Sequence, residues 1–307
     1  MRSHRKVLYL LMSVFFIAAT TTVALAQSGK CAFQKLNFPP PATKGTAFAL
    51  NDSGAILGGF VDSKSEGHGF LLFQGKLTTF MFPGSVTTSA SDISRNGIIV
   101  GEFSNTTGSE VFTQHPFMVH SGGFHEITLP GHPNADATAA GVNANGDVVG
   151  EFSSDSVAGA PGYLLHSGKL TIISFPGATG GTQPTSINDE GVIVGNYFIS
   201  LVNSNPAFML KDGVFTNIKP PDSIPTPFVN VTKVSNSGVV VGSYQAADGV
   251  HGFAFKNGTY TRIDVPGFQN TVIQAVNKFD NVLAQAEQST QQGISIFEFK
   301  GFCSGVF

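Results

Sequence analysis

The fold is decided by a stretch that recurs along the chain, Ile187-Asn188-Asp189-Glu190-Gly191-Val192-Ile193-Val194-Gly195. Its pattern has Asn or Ser first, Gly three residues later, two or three aliphatic residues, and a second Gly seven residues after the first position. Gly at the fourth position of a short polar segment is typical of a tight turn between two strands. Five clear copies and a degenerate sixth begin at Asn51, Ser94, Asn143, Asn188, Ser235 and Asn277.

The spacing of these copies predicts the architecture. They recur at intervals of 42 to 49 residues, and a period of about 45 residues is typical of the four-stranded blade of a β-propeller. Each unit has four short apolar runs separated by Gly turns, and Pro-Gly closes most units, as at Pro83-Gly84. We therefore predict an all-β fold, a six-bladed β-propeller of four-stranded blades, with no helix after residue 26.

The two ends of the repeat array are complementary. The segment that begins at Cys31 aligns with the fourth strand of a unit, whereas the last unit ends after its third strand, Ile296–Phe299. We expect the N-terminal strand to complete the last blade and close the ring, which leaves no exposed sheet edge. Cys31 and Cys303 would then lie at the same end of one hairpin, within reach of a disulfide. Two buried free thiols are the alternative.

The first 26 residues have the layout of a secretory signal peptide. Arg2, Arg5 and Lys6 precede an apolar run from Val7 to Ala19, and Ala24-Leu25-Ala26 forms a cleavage site. A membrane anchor is the alternative, but the run is shorter than the roughly 20 residues of a span. We predict a single domain over residues 27–307, exported to the periplasm or the extracellular space, with no integral membrane segment after cleavage.

Charge narrows the range of partners. The chain has 17 Lys and Arg against 20 Asp and Glu, a net charge of −3. This balance disfavours a nucleic-acid binder, for which a basic surface is expected. We predict a monomer whose partner is an unknown extracellular protein or glycan, although the absence of Trp disfavours sugar recognition.

The start of the third strand in each unit carries a second motif. His68-Gly69-Phe70 and His251-Gly252-Phe253 repeat, with variants at His115-Pro116-Phe117, Pro161-Gly162-Tyr163 and Pro206-Ala207-Phe208. Together with the turn motif, these residues resemble the HAF-repeat family of exported proteins over Ala42 to Phe299. Gly or Pro replaces the central Ala in most copies, and three copies lack the His. The resemblance implies an exported β-repeat protein and carries no established catalytic residues.

Candidate functional residues occupy repeat positions whose chemistry differs from copy to copy. One position follows the second Gly and the other precedes the turn residue by two. Equivalent positions form circles about the axis of a ring, so Glu102 and Glu151 would be neighbours. Two close carboxylates could act as acid and base or nucleophile, whereas the plainer alternative is two solvated side chains at strand ends. Candidate catalytic residues are Asp92, Glu102 and Glu151, and candidate ligand-binding residues are these three with Asn196, Lys233 and Ser243.

Metal and cofactor sites are not indicated. His68, His115 and His251 could bind a metal, but they occupy the same position in different units and would lie far apart. Hydrogen bonds to neighbouring strands explain them more simply. We predict no metal and no cofactor.

Three functions are compatible with this pattern. We favour a secreted, non-catalytic binding scaffold, with the variable loops Ser104–Gln114 and Ser200–Asn205 on one face of the ring. A glycan-active hydrolase or lyase with axial carboxylates is the alternative. A structural component of the envelope or matrix is the third.

Overall fold

The computed structural model describes residues 31–105, 114–153, 160–200, 204–224, 228–290 and 293–303. These residues form 25 β-strands and no α-helix, which confirms the all-β prediction. None of the described segments is a helix with the length and hydropathy of a membrane span. The predicted signal peptide lies outside the described residues, as do residues 106–113 and 201–203 of the two predicted loops.

Two antiparallel units of four strands follow β1 (Cys31–Lys35). A single parallel pair, Gly67 with Thr87, joins them into one eight-stranded sheet. The strands are β2 (Thr46–Leu50), β3 (Ile56–Val61), β4 (Gly67–Phe73), β5 (Lys76–Phe80), β6 (Thr87–Ile93), β7 (Ile99–Ser104), β8 (His115–His120) and β9 (Gly123–Glu126).

The middle of the chain forms three further antiparallel sheets. In the first of them, the first strand is split into two short pieces, β10 and β11, which both pair with β12. These sheets contain β10 (Asp136–Ala137), β11 (Gly141–Val142), β12 (Val148–Ser153), β13 (Gly162–His166) and β14 (Lys169–Ile173); β15 (Thr182–Ile187), β16 (Ile193–Tyr197), β17 (Ala207–Lys211) and β18 (Val214–Ile218); and β19 (Val229–Val234), β20 (Val240–Ala246), β21 (Gly249–Lys256) and β22 (Thr259–Ile263).

The last sheet combines the two ends of the chain. It contains β23 (Asn270–Val276), β24 (Asn281–Thr290) and β25 (Gly293–Cys303), and β1 adds to it as the fourth strand, antiparallel to β25. Cys31 lies opposite Cys303 in this pairing, and a disulfide joins them, as the sequence predicted.

The recurring glycines have two separate structural reasons. Gly191 ends the turn with a φ of +77°, a left-handed conformation that favours glycine. Gly195 faces a β-bulge between Pro184 and Ser186 of β15, and a Cβ there would lie 2.2 Å from the Gln183 carbonyl oxygen. The strand-to-strand approach therefore excludes a side chain at the second Gly of the motif.

The turn residue connects each unit to its neighbour. The Asn188 Oδ1 accepts hydrogen bonds from the backbone N–H groups of Glu190 and Val192, at 3.1 and 2.9 Å. Its Nδ2 donates to the carbonyl oxygen of Ser235, 3.2 Å away in the next unit. Asn51, Asn143 and Asn277 make the same two kinds of contact.

Apolar side chains fill the space between adjacent units. Val194 and Ile218 of one sheet pack in a single cluster with Val231, Tyr244 and Phe253 of the next. Because both faces of each sheet are covered in this way, the second strands are apolar at successive positions rather than at alternate ones.

Candidate functional site

The first strands of the units meet around a cavity of about 350 Å³, here called the axial cavity. Its volume is within the range of small-molecule sites in proteins. The lining is mixed, with an aromatic ring from Phe48 and many neutral polar groups. The lining side chains include Ser89, Ser91, Glu102, Thr138, Glu151, Gln183, Thr185, Asn230, Thr232 and Gln274.

Glu102 lies on β7, directly after the second Gly of its unit. Its Oε2 accepts a hydrogen bond from the Ser91 hydroxyl at 3.1 Å. Burial raises the pKa of Glu102 to about 7, against the smaller opposing effect of hydrogen bonds from Ser91 and Ser89. Burial and the charge of Glu102 also raise the pKa of Tyr163. Glu102 is therefore a carboxyl group that titrates near neutral pH.

Glu151 occupies the equivalent position on β12. Its Oε1 accepts a hydrogen bond from the Gln183 amide at 2.7 Å. Burial raises the pKa of Glu151, the Gln183 bond lowers it, and the charge of Asp136 raises it further. Both glutamates line the same cavity, and both have neutral hydrogen-bond donors as partners.

Asp92 and Lys233 do not line the axial cavity with the two glutamates. They form an ion pair with each other, with only 3% of the Asp92 side chain and 12% of the Lys233 side chain exposed. Asp92 also accepts hydrogen bonds from the backbone N–H groups of Ile93 at 2.8 Å and Val142 at 3.0 Å. The pair is fully engaged in holding three units together.

Beyond this ion pair lies the turn end of the molecule, which we define by Asp52, Arg95, Asp189 and Asn236 around a void of about 30 Å³. The Asp189 carboxylate accepts from Arg95 Nε at 2.5 Å and from the Ala144 N–H at 2.8 Å. Asp52 accepts from the Lys278 N–H at 3.0 Å and from the Asn236 amide at 3.3 Å. Side chains from several units thus close this end.

Asn196 and Ser243 are buried outside the axial cavity. The Asn196 amide nitrogen donates to the carbonyl oxygens of Pro206 and Val229, and its Oδ1 accepts from the Val231 N–H at 3.2 Å. Ser243 lies on β20 opposite Asn230 and Gly252. Asn196 therefore bridges two adjacent units, and neither residue is placed with Glu102 and Glu151.

No family model matches the sequence, and no curated protein matches it. Solved structures do resemble the fold. The β-propeller domain of the Trilobed protease from Pyrococcus furiosus, which has an open velcro topology, superposes with a TM-score of 0.55 and 9% identity over 90% of this chain and 94% of that one. AofleA from Arthrobotrys oligospora superposes with a TM-score of 0.52 and 12% identity, over 90% and 88%. The fold is a β-propeller.

A gluconolactonase from Xanthomonas campestris also resembles this propeller, with a TM-score of 0.51 and 11% identity over 89% of each chain. These identities are too low for a functional inference, because one fold hosts many unrelated activities. The likeness establishes the architecture alone.

The propeller lines its cavity with two repeat positions that sequence reasoning missed. They precede the turn residue by three and by five, and they alternate with buried positions as expected for a strand. The position three residues before the turn lines the cavity in every unit, through Phe48, Ser91, Ala140, Thr185, Thr232 and Gln274. The signal was present in the repeat alignment, where this position varies between aromatic, small and amide side chains.

The three histidines contact residues of their own units. His68 stacks on Phe60 and His115 on Phe103, with ring centroids 5.0 and 5.2 Å apart. His251 is buried, with Nε2 2.9 Å from Asp248 and Nδ1 3.1 Å from Asp264. Each of the three histidines therefore contacts residues of its own unit, and the three rings lie in different units.

One group near β4 has the composition of a metal site. Asp62, Glu66 and His68 place one possible ligand atom each within 4.8 Å of one another. Asp62 accepts hydrogen bonds from the N–H groups of Glu66 and Lys64, and the bond from Glu66 is the main cause that lowers its pKa. The carboxylate of Asp62 therefore organises the β3–β4 turn.

A second cavity, of about 610 Å³, lies beside β1 and β25. Glu298 supplies a carboxyl group to this cavity. Burial raises the pKa of Glu298 to about 7, and a hydrogen bond from Gln285 at 2.8 Å opposes part of this effect. Lys35 and Lys44 also line this cavity. It is formed at one seam of the propeller, whereas the first strand of every unit contributes to the axial cavity.

Proposed function

We propose that the protein is an exported, non-catalytic binding scaffold, a six-bladed propeller that holds its ligand in the axial cavity. The observation that carries this proposal is the axial cavity itself, a polar site of about 350 Å³ to which six repeated strands contribute side chains. The opposite end is closed by an ion pair and turn contacts, so the cavity is the larger space along the axis.

A closed ring of six blades is supported by contacts between successive units. Turn side chains join the first unit to the second, the second to the third, the third to the fourth and the fourth to the fifth. The Thr232 hydroxyl donates to the Ile273 carbonyl oxygen at 2.7 Å, and the Asn277 amide donates to the Asn51 carbonyl oxygen at 3.1 Å. These two bonds join the fifth unit to the sixth and the sixth to the first.

Export is supported by the predicted signal peptide over residues 1–26 and by the Cys31–Cys303 disulfide, since disulfides persist mainly in oxidising compartments. We place the protein in the periplasm or extracellular space, as a monomer of the HAF-repeat family. Its proposed partner is an extracellular protein or a glycan.

Ligand screening tests the binding function. The mature protein and an Ala140→Phe variant, which places a large side chain in the axial cavity, are compared by thermal shift against polar metabolites and oligosaccharides. We expect compounds that raise the midpoint of the wild type and not of the variant. Val214→Ser, an exposed change on β18, is the matched control and should bind as the wild type does. Ligands that bind the wild type and Ala140→Phe equally would contradict the proposal.

A glycan-active hydrolase or lyase is the second candidate. The observation that favours it is a pair of carboxyl groups in one cavity, one of which, Glu102, has a pKa raised to about 7, as a general acid requires. Asp92, the third candidate, pairs with Lys233 and does not line this cavity, so the proposal rests on Glu102 and Glu151. Turnover on a polysaccharide panel that is lost in Glu102→Gln would establish catalysis and replace the binding proposal.

A further inference from the structure

We propose that the ligand of the axial cavity is a small organic cation that pairs with the carboxyl groups lining the cavity, those of Glu102 and Glu151. The inference rests on the proposed binding function and deepens it by naming the ligand class. Anionic ligands should not bind, and neutral ligands should bind with lower affinity than their cationic analogues.

The charge of the cavity is the first argument. Two carboxyl groups line it, and among the described residues no Lys, Arg or His does. Two cations at the turn end are already paired, Lys233 with Asp92 and Arg95 with Asp189. An anion would therefore enter against two negative charges, whereas a cation would find uncompensated carboxylates in a partly desolvated site.

The hydrogen-bond partners of the two glutamates are the second argument. Ser91 donates to Glu102 and Gln183 donates to Glu151, so each carboxyl group is held in position by a neutral donor. Such donors orient a carboxylate without cancelling its charge. A charge-assisted bond from an N–H group of a ligand is stronger than a bond from a neutral hydroxyl.

The aromatic wall is the third argument. Phe48 lines the same cavity as the two carboxyl groups. The face of an aromatic ring attracts an ammonium group, including a methylated one. A cavity that combines carboxylates, amides and one aromatic ring fits the methylene and ammonium groups of an aliphatic amine.

The same geometry predicts that binding depends on pH. The groups that act on Glu102 or are affected by its charge are the hydroxyls of Ser89 and Ser91 on β6 and of Tyr163 on β13. Glu151 of the next unit lines the same cavity, and the charge of Asp136 acts on it. None of these is a cation, so burial holds the pKa of Glu102 at about 7 in the free protein. Because only the ionised form pairs with the ligand, affinity should rise about tenfold between roughly pH 6 and 8.

Matched pairs of compounds test this proposal by isothermal titration calorimetry on the mature protein. Choline is compared with its uncharged carbon analogue dimethylbutanol, ethanolamine with ethylene glycol, and cadaverine with pentanediol. We expect at least one ammonium compound to bind at least tenfold more tightly than its neutral partner, with release of a proton near pH 6. Glu102→Gln should weaken that binding about tenfold at pH 8 and reduce its pH dependence, leaving only the part that Glu151 contributes.

Glu190→Gln is the matched control, since it removes one negative charge from an exposed turn position outside the cavity. It should leave both the affinity and its pH dependence unchanged. Equal binding of charged and neutral partners overturns the cation proposal and leaves the cavity as a binding site. Absence of binding by every ammonium compound also overturns it, and the metabolite screen with Ala140→Phe then decides separately whether the cavity binds any ligand.

Discussion

The two ends of the propeller axis place acidic residues in opposite situations. At the turn end and the ion pair beneath it, Asp92, Asp189 and Asp52 accept bonds from cationic side chains, an amide or backbone N–H groups of other units. In the axial cavity, Glu102 and Glu151 have neutral partners and raised pKa values. At the turn end the acidic residues connect neighbouring units, whereas in the axial cavity the two glutamates have no cationic partner within the described residues.

The paired acids of the turn end and the glutamates of the cavity therefore differ in the electrostatic free energy that they contribute to folding. Removal of the partner of a buried, compensated carboxylate is costly, because it leaves an unpaired charge in the interior. A carboxyl group with a pKa raised by burial destabilises the fold whenever it is ionised. We therefore expect neutralising substitutions at the two ends to change stability in opposite directions.

The largest effect should follow from breaking the ion pair between Lys233 and Asp92. Lys233→Met leaves a carboxylate that is almost completely buried without its cation, at an expected cost of about 3–5 kcal/mol in the free energy of unfolding. Urea denaturation at pH 7 measures this cost. The double variant Asp92→Asn with Lys233→Met removes both charges and should recover more than half of the loss. A single-variant loss below about 1 kcal/mol would contradict the assignment of this pair as a structural link.

Neutralising Glu102 should have the opposite sign. Its pKa is raised from 4.5 to about 7, so the folded protein holds this proton more tightly than the unfolded chain does. Its contribution to stability is therefore present at low pH and is lost as pH rises from about 4.5 to 7. Glu102→Gln keeps the uncharged state at every pH and should be about 3 kcal/mol more stable than the wild type at pH 8.

Denaturation curves at pH 4 and pH 8 check this prediction. The two proteins should differ little at pH 4, where the carboxyl group is protonated in the folded wild type. Glu190→Gln, at an exposed turn, should show no comparable gain at pH 8. If Glu102→Gln were less stable than the wild type at pH 8, the prediction would be wrong, because the ionised Glu102 would then stabilise the fold as the paired acids of the turn end do.

The repeat could be used to predict the architecture because each of its residues has a strong local requirement. The turn Gly has a left-handed φ, the second Gly faces the neighbouring backbone, and the cysteines are opposite each other in one strand pair. The degenerate sixth copy keeps the backbone conformation of the turn, since Asp280 has a positive φ at the position of the turn Gly, and Ala284 replaces the second Gly. Local chemistry of this kind is visible in a single sequence.

The direction of side chains in the first strand could not be predicted in the same way. The repeat pattern predicts an axial role for the position two residues before the turn, which Asp92 and Lys233 occupy. A β-bulge precedes it in β6 and β19, where two residues of one strand lie opposite one residue of its partner, so the cross-strand register shifts by one residue. The position three residues before the turn faces the cavity instead. A bulge depends on backbone approach between strands, which the side chains of β6 do not reveal.

A smaller effect separates the two roles of the turn Asn. Asn188→Ser should preserve the bond from the Val192 N–H, since the hydroxyls of Ser94 and Ser235 accept the equivalent backbone N–H groups at 3.0 and 3.1 Å. It removes the bond from Asn188 Nδ2 to the next unit, at a cost of about 1 kcal/mol. Asn188→Ala removes both contributions and should cost about twice as much in thermal or urea denaturation. Equal losses in the two variants would mean that the inter-unit bond contributes nothing.

The smallest effect should come from Arg95, although it belongs to the same turn end as the Asp92–Lys233 pair. Its side chain is 55% exposed, and Asp189 keeps a backbone donor from Ala144 when the guanidinium is absent. Arg95→Met should therefore cost about 0.5 kcal/mol at low salt and less in 1 M salt, where exposed ion pairs are screened. Urea denaturation at the two salt concentrations measures this cost. We expect Lys233→Met to destabilise the protein several-fold more than Arg95→Met, which would show that burial determines how much an ion pair contributes to stability. Equal losses would show instead that location at the turn end determines it.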